Sequence, residues 1–217
     1  DLIDNNQRRI ALLDDAMQML YREWFCHLRF PGHEHAKIVD GVPAGWNVAK
    51  VTDHLDFVRG VEPGSKAYQS EPGDGRVPFF RVGDIGGRPS DIYIEEGLAK
   101  ERLLSPEDVV VTMDGTPGLF SIGRASAYSS GIRKVVRRDN SLIGWAFSYG
   151  LLKSDATQST IARFAKGTTI LHASSSLDHM AVLLPPKSVM TMFDQIGGAL
   201  LKQILNLEGC NAKLMEA

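Results

Sequence analysis

Between Asp114 and Asp139 the chain has no acidic residue, yet Arg124, Arg133, Lys134, Arg137 and Arg138 all fall there. A local positive field of this kind attracts polyanions even though the whole chain carries a net charge of −2. The plain alternative is a solvated strand edge guarded by cations. Other chemistry-bearing residues lack a working pattern. His33-Glu34-His35, with His27 nearby, offers metal-ligand types, but the spacing is not HExxH and the stretch is a polar connector, so no metal site is expected. Asp53-His54, or His172 with Ser174, holds the residue types of a Ser-His-Asp triad, but no G-x-S-x-G elbow accompanies them. Pro185-Pro186 follows Leu184 and precedes Lys187, so it lacks the acid or amide and the aromatic residue of an adenine methyltransferase motif. Neither G-x-G-x-x-G nor G-x-x-x-x-G-K-[ST] occurs, so no dinucleotide or nucleotide loop is signalled. No catalytic residue and no bound cofactor are expected.

The elements that must position such residues can be read from periodicity. Ile3, Asn6, Ile10, Leu13, Met17, Leu20 and Trp24 recur with alternating spacings of three and four, an a/d seam without Gly or Pro. The spacing predicts one helix over residues 1–27, roughly 40 Å long. Leu200, Ile204, Leu207, Asn211 and Leu214 form a second seam in a helix over 189–217, weakened by Gly197, Gly198 and Gly209. An Asn inside each seam, Asn6 and Asn211, is expected to fix register and partner at some expense of stability. Pro31-Gly32 ends the first helix, and residues 28–45 read as a connector.

From Trp46 to 188 short apolar runs alternate with Gly and Pro. Residues 77–82, 108–113, 133–136 and 181–184 read as strands, and 143–152 and 159–165 as helices. Trp145, Phe147 and Tyr149 could stack on bases but are expected in the core. The fold expected is α+β: a globular domain with a mixed or antiparallel sheet, flanked by two long helices that form an antiparallel coiled coil.

Composition agrees. Of 217 residues, 43% are hydrophobic and 23% charged, too apolar for a disordered chain. No apolar run approaches the ~20 residues that span a bilayer. Cys26 and Cys210 have no metal-site spacing and read as reduced thiols; with no leader in view, a cytoplasmic protein is expected. The seam of the first helix recurs at the end of the chain, and both ends stop mid-pattern, with no cap before Asp1, so a piece of a two-period protein is expected.

These residues resemble the specificity (S) subunit of type I restriction–modification systems. Leu2-Ile3-Asp4-Asn5-Asn6-Gln7-Arg8-Arg9-Ile10 through Leu20-Tyr21-Arg22-Glu23-Trp24-Phe25 looks like that family's central helix. Phe30-Pro31-Gly32-His33-Glu34-His35 is similar to its connector, and Val42-Pro43-Ala44-Gly45-Trp46 to its entry into a target-recognition domain. Phe80-Arg81-Val82-Gly83-Asp84-Ile85, Gly115-Thr116-Pro117-Gly118, Lys166-Gly167-Thr168-Thr169 and Pro185-Pro186-Lys187 follow in the family's order, and residues 201–208 look like its second helix. Gly209 departs from the pattern. The resemblance implies one half of such a subunit: helix 1–27, connector 28–45, recognition domain 46–188, helix 189–217. It implies a non-catalytic part of a restriction endonuclease and adenine methyltransferase. Its partners would be double-stranded DNA, methyltransferase (M) subunits and restriction (R) subunits. S-adenosylmethionine, ATP and Mg would sit on those partner subunits only. The helices would act as a ruler between the halves of a split DNA site. Two half-subunits pairing through exposed seams would give a homodimer and a symmetric site.

For such a domain, affinity comes from cations on phosphates and specificity from side chains on base edges. Arg124, Arg133, Lys134 and Lys166 are the phosphate candidates. Arg59, Lys66, Arg81, Arg88, Gln158 and Arg163 have the reach and donor geometry of base readers. Ser174-Ser175-Ser176 and Thr168-Thr169 would donate hydroxyls to phosphates. Family landmarks such as Gly83-Asp84-Ile85 are expected to shape turns, with the readers between them. The competing reading is a coiled-coil scaffold or oligomerisation module whose α+β head binds protein only.

Overall fold

A period-three-and-four apolar seam needs a partner surface, and the first helix finds one at the other end of the chain. The computed structural model describes residues 1–85, 90–122 and 124–216. Its helices are α1 (Leu2–Tyr21), α2 (Glu96–Ala99), α3 (Trp145–Lys153), α4 (Asp155–Phe164) and α5 (Lys187–Glu216). α1 and α5 pack along each other. Asn6 Nδ2 donates to Asn211 Oδ1 at 2.8 Å, and Met17 lies against Gly197. The pairing is therefore antiparallel. Both Asn side chains are buried, and each satisfies the other, which removes the desolvation cost of an unpaired amide in an apolar seam. Met17 is fully buried, and Ile3, Ile10, Leu13 and Leu20 are half-buried, while Gln7, Arg8, Arg9, Ala11 and Leu12 are exposed.

The α5 seam is shifted from the expected one. Leu201 and Ile204 are buried, Leu200 and Leu207 only half-buried, and Leu214 is 39% exposed.

Asp1 is itself the cap of α1: its carboxylate accepts the Asp4 N–H at 2.9 Å. The helix runs on through a π-type turn, Arg22–Cys26, and stops before Pro31. Leu28 takes φ 58, and the Arg29 N–H returns to the Glu23 carbonyl at 2.7 Å.

The described chain divides into two compact units. The first joins Asp1–Lys50, Asn140–Ser154 and Ala181–Ala217; the second joins Val51–Asp139 and Asp155–Met180. So residues 46–50, 140–154 and 181–186, expected in the recognition domain, lie with the two long helices instead. In the first unit α3 packs on α1 and α5. Its residues 146–152 are all buried. Asp194 of α5 caps it by accepting the Phe147 N–H at 3.0 Å, which a side chain at Gly144 would block. Tyr21, Trp24, Phe25, Phe147 and Phe193 form an aromatic core, with Phe25 4.7 Å from both Phe147 and Phe193. The strands Asn47–Lys50 and Ala181–Leu184 pair antiparallel in this unit.

The second unit holds two four-stranded sheets. One, wholly antiparallel, has the order Phe120–Ile122, Val109–Thr112, Ile132–Arg137, Leu55–Arg59. The other has the order Tyr93–Glu95, Arg76–Phe80, Ser126–Tyr128, Leu103–Leu104, with its central pair parallel. Phe79 pairs with Ala127 and Phe80 with Tyr128. Successive side chains point to opposite faces. Thus Phe80 and Tyr128 join Val110 and Ile132 in one core, while Phe79 and Ala127 join Ile94 in another. The fold is α+β, as the sequence predicts. Among the described residues no helix is long and apolar enough to cross a membrane.

Candidate nucleic-acid interface

Strands this short leave much of the second unit to its loops, and three sequence-distant loops meet. The first leaves Val109–Thr112. Buried Thr112 closes it: its hydroxyl accepts the Leu119 N–H at 2.9 Å and donates to the Thr116 carbonyl. Gly118, at φ 95, sits where a side chain would strike Gln158, whose amide donates to the Gly118 carbonyl at 3.0 Å. The second is a hairpin in which Lys166 and His172 exchange backbone hydrogen bonds of 3.0 and 2.8 Å. Leu171-His172 also pairs antiparallel with Asp114-Gly115. Lys166, Thr168, Thr169 and Ile170 are exposed on it. The third is the Arg81–Asp84 turn. Buried Asp84 accepts the Arg81 N–H at 2.7 Å and the Ser90 N–H and hydroxyl at 3.0 and 2.7 Å. Val82 of this turn lies against Gly115 and Gly131. Asp84 thus shapes a turn, the role expected of the shared landmark.

Beneath these loops lies Arg133, only 6% exposed. Its Nη2 reaches Asp114 Oδ2 at 3.2 Å and Ser174 Oγ at 2.9 Å, and its Nη1 donates to the Ser130 carbonyl. Burial lowers the Arg133 pKa from its ordinary value, and the Asp114 carboxylate opposes that fall. Asp114 Oδ1 also meets His172 Nδ1 at 2.7 Å. One carboxylate therefore ties a sheet strand, the Asp114 loop and the hairpin together. Arg133 cannot reach a phosphate from here; it is a buried strut. Ser174 meets Arg133 rather than His172, so no Ser-His-Asp triad forms.

The other sequence candidates divide clearly. Arg81, Gln158, Lys166, Thr168, Thr169 and Ser174 lie in or beside the loop cluster, and Ser175 is exposed next to it. The Arg81 guanidinium lies 5.7 Å over the Tyr68 ring, and its buried Nε makes no hydrogen bond but stands 3.9 Å from Asp84 Oδ2. Arg124 is exposed, 5.0 Å over the Phe80 ring. Arg163 stands on the exposed face of α4 and Lys66 on an exposed turn. Ser176 is fully buried with its hydroxyl toward Met113 Sδ, so it cannot serve a phosphate. Lys134 is engaged by Asp108 at 2.7 Å and by the Leu103 carbonyl. Arg59 is exposed on an edge strand beside a separate cavity. Arg88 lies outside the described residues. Asp114 escaped the sequence reading because its role depends on a partner 19 residues away, and an isolated Asp after a strand carries no signal of that.

No protein-family model matches the chain, and no curated protein matches it. Among solved structures it is similar to the HsdS subunit from Thermoanaerobacter tengcongensis, at 19% identity and TM-score 0.57, covering 96% of this chain and 48% of that one. It is similar to a chain from a type I R-M system solved to explain complex assembly and conformational transition, at 19% identity and TM-score 0.50, covering 99% and 52%. A third is the type I restriction–modification S subunit from M. genitalium, at 17% identity and TM-score 0.50, covering 75% and 39%. The chain thus spans about half the length of the first two. In fold, the chain is similar to about half of that HsdS subunit.

Proposed function

We propose that the chain is a non-catalytic specificity element that reads one half of a bipartite DNA site. The observation that carries this reading is the convergence of Arg81, Lys166, Thr168 and Thr169, with Gln158 of α4 beside them, on loops braced by the Arg133–Asp114–His172 strut, within this fold. Arg81 carries a partly exposed guanidinium beside the Tyr68 ring, and a guanidinium fork is the chemistry that reads a guanine edge. Lys166 and the threonines supply phosphate contacts from an exposed hairpin. The α1–α5 pair offers docking surface for methyltransferase subunits, with restriction subunits joining that assembly. S-adenosylmethionine, ATP and Mg belong to those partners, and methylation and cleavage are their chemistry.

A salt titration of duplex binding, with methyltransferase subunits present, tests the reading. Each phosphate neutralised contributes about −0.9 to the slope of log K against log salt. The expected result is a steep slope that flattens by about one in Lys166→Ala. Binding that does not respond to salt would instead fit a protein-binding scaffold.

A further inference from the structure

We infer that the second unit carries a separate binding site for a phosphate-bearing ligand of nucleotide size, built by Arg59, Lys100 and Arg102. These line a cavity of about 680 Å³ together with Glu62, Ser130 and Leu98. That volume is far more than a lone anion needs and falls in the range of small-ligand pockets, roughly 300–1,000 Å³. Three cations face one acid there, and that acid is occupied: Glu62 Oε2 accepts the Ser130 hydroxyl at 2.8 Å. Arg59 Nε donates to the Ser130 carbonyl at 3.2 Å, and among the described residues its two Nη groups meet no acceptor. Neither Lys100 nor Arg102 has a carboxylate partner within ion-pair distance among the described residues. Two arginine forks and an ammonium match tetrahedral, multiply charged phosphate better than a lone carboxylate.

The backbone supports the same inference. Lys100 and Glu101 both lie in the left-handed region, at φ 47 and 62. Glycine or asparagine is the ordinary choice there, so two successive side-chain-bearing residues in that region are strained. That strain turns the chain just past α2 and sets Lys100 and Arg102 on the cavity. The floor is equally constrained: a side chain on Gly60 would come within 2.3 Å of the Tyr128 carbonyl oxygen. Leu98, with Pro63 and Val61, gives an apolar wall suited to a sugar or base. The phosphate has two possible sources, a polynucleotide backbone or a free nucleotide. The site stands independently of whether the loop cluster reads sequence.

The test uses the full chain, pyrophosphate and a duplex of mixed sequence as probes, and the double variant Lys100→Gln/Arg102→Gln with Lys37→Gln, at an exposed connector position, as control. Calorimetry should show saturable pyrophosphate binding, weakened at least tenfold in the double variant and unchanged in the control. If the source is a polynucleotide, duplex displaces pyrophosphate and the double variant flattens the duplex salt slope by about two. If the source is a free nucleotide, pyrophosphate binding falls while the duplex slope stays. Unfolding curves confirm that the variants, all at exposed positions, still fold. Pyrophosphate binding absent or unaffected by the double variant, together with an unchanged duplex slope, overturns the site.

Discussion

The two units bury polar groups in opposite ways. The helical unit places one amide pair, Asn6–Asn211, in the α1–α5 seam and keeps its Asp14–Lys153 ion pair, which the Tyr149 hydroxyl joins at 2.8 Å, at a partly exposed edge; rings and close helix approach fill its core. The loop-bearing unit buries a charge, and one carboxylate holds that charge, a strand and a hairpin at once. Helices that only need to stay aligned can be apolar. Loops that present polar side chains cannot supply much apolar surface, so a buried ion pair braces them. A buried pair of this kind adds little net stability compared with an apolar replacement, but losing one partner is severe.

That contrast can be broken most strongly at Asp114. Asp114→Ala leaves the Arg133 guanidinium buried and uncompensated and releases His172. We expect a loss of about 3–5 kcal/mol in the second unit, with faster amide exchange in residues 109–122 and 166–174. Unaltered exchange there would show that the strut does not carry the loops. In the helical unit the largest expected effect is at Gly150. A Cβ there meets the Tyr21 ring at 2.4 Å, and that ring is fixed among Phe25, Phe147 and Phe193. Gly150→Ala should cost about 1–3 kcal/mol by overpacking, read as earlier melting of α1 and α3.

Asn6→Leu sharpens the comparison at smaller scale. It leaves the Asn211 amide buried without its partner and should cost about 1–2 kcal/mol. Asn6→Leu/Asn211→Leu should recover that loss while relaxing register. If the double variant is no better than the single one, the pair is not acting as a coupled polar contact. Gly209 is the smallest case. Nothing lies within 4 Å of its missing side chain, so Gly209→Ala should gain up to about 1 kcal/mol of helix propensity.

The helical unit was the more legible from sequence because its period is long and uninterrupted. The seam residues of α1, and both Asn residues, could be read from spacing alone. In α5 spacing cannot say which side of the helix meets α1, and Leu201 rather than Leu200 is the buried residue. α3 was recognised as helical, but its buriedness all round gave no face to assign, so its place against α1 and α5 was not legible. Gly197 reads as a helix weakener, yet its Cβ would press within 2.8 Å of Ala146; it is a point of close approach. In the second unit residues 77–82, 108–113 and 133–136 read as strands and the landmark turns stand in order, but Leu55–Arg59, Tyr93–Glu95, Leu103–Leu104, Phe120–Ile122 and Ser126–Tyr128 are too short or too broken by polar residues to be legible. Which cations are free was not legible. Arg133 and Arg124 look alike in sequence, and only tertiary partners make one a strut and the other an exposed side chain. Lys100 and Arg102 sit in an acidic stretch, and their charge signal is averaged away along the chain.

The central claim is that the loop cluster reads bases. The most direct test is selection of bound duplexes from a random pool, using the chain with methyltransferase subunits, in the wild type and in Arg81→Ala. The account predicts an enriched half-site in the wild type and relaxed preference at a single position in the variant. No enriched sequence, or a variant that weakens every sequence equally and leaves the preference intact, would contradict it.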